Sequence, residues 1–251
     1  MNNSHLPLSI CILCNRNDQR FLDCLSSTQF ADEILIIDHN STNNWKLLSA
    51  KYRFKVIEHF EPSIHQFSQV RNQALSAAKH DWVFFLDSDE VLVSDQQQII
   101  AECIDTQSVS GYFVTRFDVF HNRVLKYGEG KMRIIRLVKK SVTTFTGSVH
   151  EKATVTGRVE YSDVHILHYS HLSISAFVEK VSWYAQLAAH DKPSSREKVF
   201  FEIITYPFCK FFYNFVVLLG FLDGWQGLVY SFLMSLHSLW VRVYRYEHLT
   251  C

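Results

Sequence analysis

The feature that most constrains the fold is a repeated alternation of short, largely apolar runs with segments of helical spacing. The runs cover residues 8–13 (LSICIL), 33–37 (EILII), 55–58 (KVIE) and 82–86 (WVFFL). Between them lie 18–28, with Phe21, Leu22 and Leu25 on one side, then a polar turn (HNSTNN) with a helix through Leu47 and Leu48. The third is 68–79, carrying Val70, Ala74, Leu75 and Ala78. Strands alternating with helices predict parallel βαβ units. Strands that are apolar throughout predict a sheet covered on both faces. The expected class is therefore α/β: a mostly parallel central sheet with helices on both faces.

After Val93 the pattern changes. Residues 111–119, 133–138, 143–149 and 164–169 read as strands of partial alternation, hence mixed sheet. From Ser173 the chain turns helical, and Ser194-x-x-Glu197 has capping-box spacing for a further helix. Two domains are expected, 1–172 catalytic and 173–251 helical.

In sheets of this kind ligands bind beyond the carboxyl ends of the strands. Three of the apolar runs lead to polar residues there: Asn15, Asp38 and Asp87. Asp87-Ser88-Asp89 closes the fourth run. Alone, a D-x-D tripeptide is a polar turn capping a strand. Past a buried strand, beside two other polar strand ends, it suits a hard divalent cation carrying a diphosphate. Mg²⁺ and Mn²⁺ take one or two carboxylates plus phosphate oxygens. The chain carries 25 basic and 25 acidic residues, so no global field draws it to nucleic acid. Cys11 and Cys14 have C-x-x-C spacing, but on a strand residues three apart face opposite ways. Ordinary thiols are expected, and no signal peptide is read at the N-terminus.

Two stretches carry a family resemblance. "ADEILIIDHNSTNN" resembles the second-strand signature of the family 2 inverting glycosyltransferases of GT-A fold. "FSQVRNQALSAAKHDWVFFLDSDE" resembles their Arg-Asn helix running into the D-x-D strand. The resemblance implies a nucleotide-sugar donor held by Asn15, Asp38, Arg71, Asp87, Ser88 and Asp89. Asp38 would meet the nucleobase, typically uracil, and Asp87 the ribose. Asp89 would coordinate the metal, with Asp87 and His168 as further candidates. Arg71 would lie near the diphosphate, as its planar fork suits. His39, Asn40 and Asn43 depart from the usual small residue, Gly and Asp, which blurs the choice of nucleotide.

"FTGSVHEKATVTG" followed by "HILHYSH" resembles the branch that adds a sugar to the inner core of lipopolysaccharide or lipooligosaccharide. Inversion needs one base to take the acceptor's proton, and Glu151 is the candidate, with His150 beside it. Arg133 and Arg136 are further candidate diphosphate or acceptor contacts, although three apart on a strand they cannot both face one ligand. The expectation is hexose transfer, as from UDP-glucose, onto the lipid A–core. A polyprenyl-phosphate, capsule or protein acceptor is the alternative within enzymes. An inactive sugar-nucleotide binding or scaffold protein is the alternative outside them.

The aromatic excess, 20 Phe among 251 residues, concentrates in 200–240, where Glu202, Lys210 and Asp223 are the sole formal charges. Its apolar stretch at 211–222 falls short of the about 20 residues a span requires. Interfacial helices are expected instead, with Arg242 and Arg245 just beyond and Pro207 kinking or starting a helix. That places the protein peripherally on the cytoplasmic face of a bacterial inner membrane. Truncation after Arg196 should then release it to the soluble fraction. Oligomeric state is not legible.

Overall fold

A computed structural model describes residues 5–39, 41–58, 67–147, 152–171, 173–189 and 195–249. They form two compact units: 1–116 with 133–168, and 117–132 with 169–251.

In the first unit β1 (Leu6–Cys14), α1 (Gln19–Ser27), β2 (Ala31–Asp38), α2 (Trp45–Ser49), β3 (Lys55–Glu58), α3 (Phe67–Ala77) and β4 (Trp82–Asp87) follow one another as expected. β5 (Glu90–Leu92) and α4 (Gln96–Asp105) come next. β6 (Gly111–Phe120), β7 (Arg123–Val124), β8 (Lys131–Lys139), β9 (Thr143–Thr146), β10 (Lys152–Val155) and β11 (Val159–His171) complete the strands. The main sheet runs β3-β2-β1-β4-β8-β6-β11-β5, with β7 paired to β6, and β9 and β10 form a separate hairpin. β3, β2, β1 and β4 are mutually parallel. β4 pairs antiparallel with β8, and β5 with β11. The four strands β3, β2, β1 and β4 thus form a parallel half, joined through antiparallel pairing at β8 to a sheet that is mixed overall.

The alternation of side chains across each strand builds two cores. Ile10, Ile12, Ile34, Ile36, Phe84 and Leu86 pack with Phe21 of α1 and Ile100 of α4. Cys11, Leu35, Ile37, Val83 and Phe85 pack with Val70, Ala74 and Leu75 of α3 on the other face. Cys11 and Cys14 fall in different cores, as strand geometry requires. Asp18 caps α1, its carboxylate accepting from the Arg20 and Phe21 amides.

The second unit holds α5 (Ile174–Ala189), α6 (Arg196–Phe212) and α7 (Gly224–His248). β6 and β7 meet there through His121 (φ 46°) and Asn122 (φ 59°), the left-handed pair of a type I′ turn. Phe120 and Leu125 of this hairpin pack with Phe177 and Val181 of α5 and Tyr230 and Leu233 of α7. The Tyr230 hydroxyl donates to Asp118 at 2.6 Å. The hairpin thus belongs with the C-terminal helices, a grouping the linear pattern did not reveal.

α6 is capped by Ser195, which accepts from Lys198 N; Ser194 of the expected capping box lies outside the described residues. Pro207 sits inside α6 rather than starting a helix. α6 runs into one π turn (Tyr213–Val217), then a 3-10 turn (Gly220–Asp223) leads to α7. α6 and α7 fold back on each other: Arg196 reaches Tyr246, Glu202 faces Arg242 and Arg245, and Ser235 donates to the Pro207 carbonyl. No single described helix is long and apolar enough to cross a membrane.

Candidate active site

Register brings the polar strand ends together. Leu13 of β1 lies beside Asp87 of β4, and Cys14 beside Asp38 of β2. Asp38 and Asp87 therefore flank the end of β1, where Asn15 emerges exposed. Ser88 is buried; its amide donates to Leu13 O at 3.0 Å and its hydroxyl lies 3.5 Å from Asn15 Oδ1.

Asp38 is buried, and both its oxygens accept: Oδ1 from the Ser41 amide at 2.9 Å, Oδ2 from Trp45 Nε1 at 3.0 Å. Asn43 Nδ2 donates to the Arg16 carbonyl at 2.7 Å, so the β2–α2 turn is tied to the end of β1. An Asp there would lack that donor. This gives the departure at Asn43 a local structural role.

Asp87 is clamped by two arginines. Arg71 Nη2 meets Oδ1 at 3.1 Å and Arg136 Nη2 meets Oδ2 at 2.6 Å. Burial alone would raise this carboxyl; the charges of Arg136 and Arg71, the Arg136 hydrogen bond and His168 overcome that and hold it well below the usual carboxylate range. Arg71 is buried, with Phe85 and Phe145 ring centroids 5.2 and 5.8 Å from its guanidinium, so it is no surface helix arginine. Arg136 also meets Glu90 Oε1 at 2.7 Å, and Arg116 approaches the same oxygen at 3.5 Å. Glu90 is fully buried, and its other oxygen accepts from the Asp87 amide at 3.0 Å.

Asp89 stands apart from this clamp. Its Oδ1 is 3.7 Å from His168 Nε2 and its Oδ2 3.5 Å from Arg16 Nη1, distances of charge contact rather than close hydrogen bonding. One carboxylate oxygen and one imidazole nitrogen thus converge. That donor pair fits Mg²⁺ or Mn²⁺, the remaining positions falling to phosphate and water. Asp87 does not fit the same role, because each of its oxygens already takes a guanidinium. Among the described residues no set of three His, Cys, Asp or Glu converges, so an ion here would depend on oxygens of the donor.

Arg133 is separate from the cluster, its guanidinium lying over the Tyr161 ring at 4.5 Å. His150 and Glu151 lie outside the described residues. Their connection is nevertheless bounded: Thr146 pairs with Lys152, and Asn72 holds Phe145 at both backbone atoms, Nδ2 to O at 2.8 Å and N to Oδ1 at 2.9 Å. The adjacent Arg71-Asn72 pair therefore serves Asp87 and the β9–β10 hairpin at once. Sequence reasoning missed Arg16 and Arg116 and set Glu90 aside. Arg16 was findable as the first cation after the β1 strand end; Arg116 carried no local signal.

The mixed sheet, whose parallel half ends in arginine-braced carboxylates, has GT-A architecture. The chain belongs to glycosyl transferase family 2, whose profile matches residues 10–162. It is 25% identical over 250 residues to "Lipopolysaccharide core biosynthesis glycosyltransferase LpsC" of Rhizobium meliloti (strain 1021), covering 92% of this chain and 91% of that one. It is 24% identical over 230 residues to an "Uncharacterized glycosyltransferase" of Rickettsia bellii (strain RML369-C), covering 82% and 76%. Among solved structures it resembles the mannosyltransferase PcManGT of Pyrobaculum calidifontis, in complex with GDP-Man and Mn²⁺, at TM-score 0.53. That likeness has 10% identity and covers 96% and 87% of the two chains. At that identity it speaks for the fold.

Proposed function

We propose that the protein is an inverting hexosyltransferase moving a sugar, with UDP-glucose the first donor to test, onto the inner core of lipopolysaccharide or lipooligosaccharide. The observation that carries this is the division of labour in the acidic cluster. Asp87 is clamped at both oxygens by Arg71 and Arg136, whereas Asp89 makes only longer contacts, one oxygen to Arg16 and the other to His168. The lipopolysaccharide-core name of the Rhizobium relative supports the acceptor class.

In this reading Asp38 and the Trp45 turn receive the base, and Asp87 accepts from the ribose hydroxyls, its orientation fixed by the two arginines. Asp89 and His168 would hold a divalent cation, which when bound would offset charge on the departing diphosphate. Glu151 takes the proton of the acceptor hydroxyl. The new bond forms at the anomeric carbon as the bond to the diphosphate oxygen breaks on the opposite face. Exposed aromatic side chains of α6 and α7 hold the enzyme on the cytoplasmic face of the inner membrane, where a lipid-linked acceptor resides.

The test is to incubate the full chain with several UDP-sugars and defined lipooligosaccharide acceptors and to read product mass. A product heavier by one hexose supports the proposal. Transfer to polyprenyl phosphate alone moves it to the other acceptor class. Donor binding without transfer or hydrolysis leaves a binding protein. Full turnover in excess chelator defeats the role given to Asp89 and His168.

A further inference from the structure

The turn joining α6 to α7 presents apolar side chains on every side. Phe208 is 76% exposed and Trp225 54%, and Phe212, Val217, Phe221 and Leu222 are exposed with them. A soluble surface rarely carries so continuous an apolar patch. Within this stretch Asp223, Lys210 and the Oδ1 of Asn214 have internal partners, whereas Asn214 Nδ2 is buried without a hydrogen bond among the described residues. Asp223, 2% exposed, accepts from the Lys126 and Tyr127 amides at 3.2 and 2.9 Å. Lys210 pairs with Glu129. Asn214, wholly buried, accepts from the Glu129 amide at 2.7 Å. Two carbonyls of the irregular backbone are met as well: Leu218 O accepts from the Gly128 amide at 3.0 Å, and Leu222 O faces Arg123 at 3.4 Å. The strand hairpin loop at 123–130 therefore supplies partners to Asp223, Lys210, Asn214 Oδ1 and these two carbonyls.

Water would satisfy such groups at no structural cost, so their internal closure matters most where water is scarce. Non-helical backbone is tolerated at membrane depth only when its polar groups are met within the protein. The other end of the helix pair is the reverse: Arg196, Lys198, Arg242 and Arg245 lie there with Glu197, Glu202 and Glu247, a densely charged end. Taken together across their bend, the two helices have the length and composition of a broken span or re-entrant loop.

We infer that the α6–α7 turn, residues 208–228, enters the hydrocarbon of a phospholipid bilayer tip first, while the charged ends of the two helices stay at the headgroups. This rests on the membrane attachment proposed above, but replaces helices lying flat with an inserted tip. The loop at 123–130 supplies the internal partners of that turn.

The test uses the full chain with Cys209 and Cys251 changed to Ser. An environment-sensitive fluorophore is placed by Phe221→Cys at the tip, or by Phe200→Cys near the start of α6; both native side chains are exposed. Vesicles of phosphatidylcholine and phosphatidylglycerol carry bromine deep in the acyl chains. The expected result is strong quenching at 221 and little at 200. Equal quenching at both sites means the helices lie flat, overturning the inference while membrane attachment stands. Binding with neither probe quenched also overturns it. No vesicle binding at all overturns attachment itself, and tip-to-tip crosslinking of two copies would then identify the occupant. As a second measure, Phe221→Ser/Leu222→Ser/Trp225→Ser is expected to lower vesicle partitioning on the order of a hundredfold, with the soluble fold unchanged by circular dichroism.

Discussion

Glu90 is the most enclosed charge of the site, fully buried between Arg136 and Arg116 with its second oxygen on the Asp87 amide. Removing one partner of a buried pair strands the others, at about 3–5 kcal/mol. Glu90→Ala is therefore expected to lose that much stability in urea unfolding, far more than Asp89→Ala. Asp89 makes only longer charge contacts, so its replacement should keep the fold and lower turnover on the order of a hundredfold or more. Asp87 has its pKa depressed in the folded state, so its contribution is complete above the unfolded carboxylate value and fades as pH falls through the folded one. The stability gap between wild type and Asp87→Asn should stay constant over roughly pH 5–8 and shrink below about pH 4. A gap that grew toward acid would contradict the arginine clamp. Asp38, Asp87 and Asp89 were legible in sequence because each follows an apolar run. Arg16 and Arg116 were not, because what makes them part of the site is pairing across strands, which no local spacing encodes.

At the scale of elements, periodicity found β1 through β4 and their helices, to within two residues at each end where bounds were read, since each shows an apolar side. β5 was missed because its three residues share the D-x-D turn, and β7 because two residues show no period. α4 did carry a signal in Ile100, Cys103 and Ile104, obscured by its polar start at Gln96. The α6–α7 turn depends on a contact that sequence cannot show: a Cβ at Gly227 would lie 2.0 Å from Gly220 O. Gly227→Ala must push the turn apart, and a loss of about 1–3 kcal/mol is expected by thermal unfolding. If the variant melts with wild type, the close approach is not maintained in solution.

For the whole molecule, the division into units alters how truncation should behave. The expected boundary at 172 kept the 117–132 hairpin with the catalytic part, whereas Phe120 and Leu125 pack with Tyr230 and Leu233 of α7. A chain ending near Arg196 loses those partners and bares the hairpin. It is expected to sediment as aggregate, and to become soluble only when Phe120 and Leu125 are also made polar. Fractionation with and without those changes separates lost membrane affinity from lost cover.

The bracing of Phe145 by Asn72 has a consequence for how such an enzyme could diversify. The strand pair is pinned at Phe145 and closed by Thr146 with Lys152, so substitutions in the stretch between, other than at the proposed base Glu151, need not disturb Arg71 or Asp87. New acceptors can then be tried by evolution in that stretch while nucleotide recognition is inherited intact.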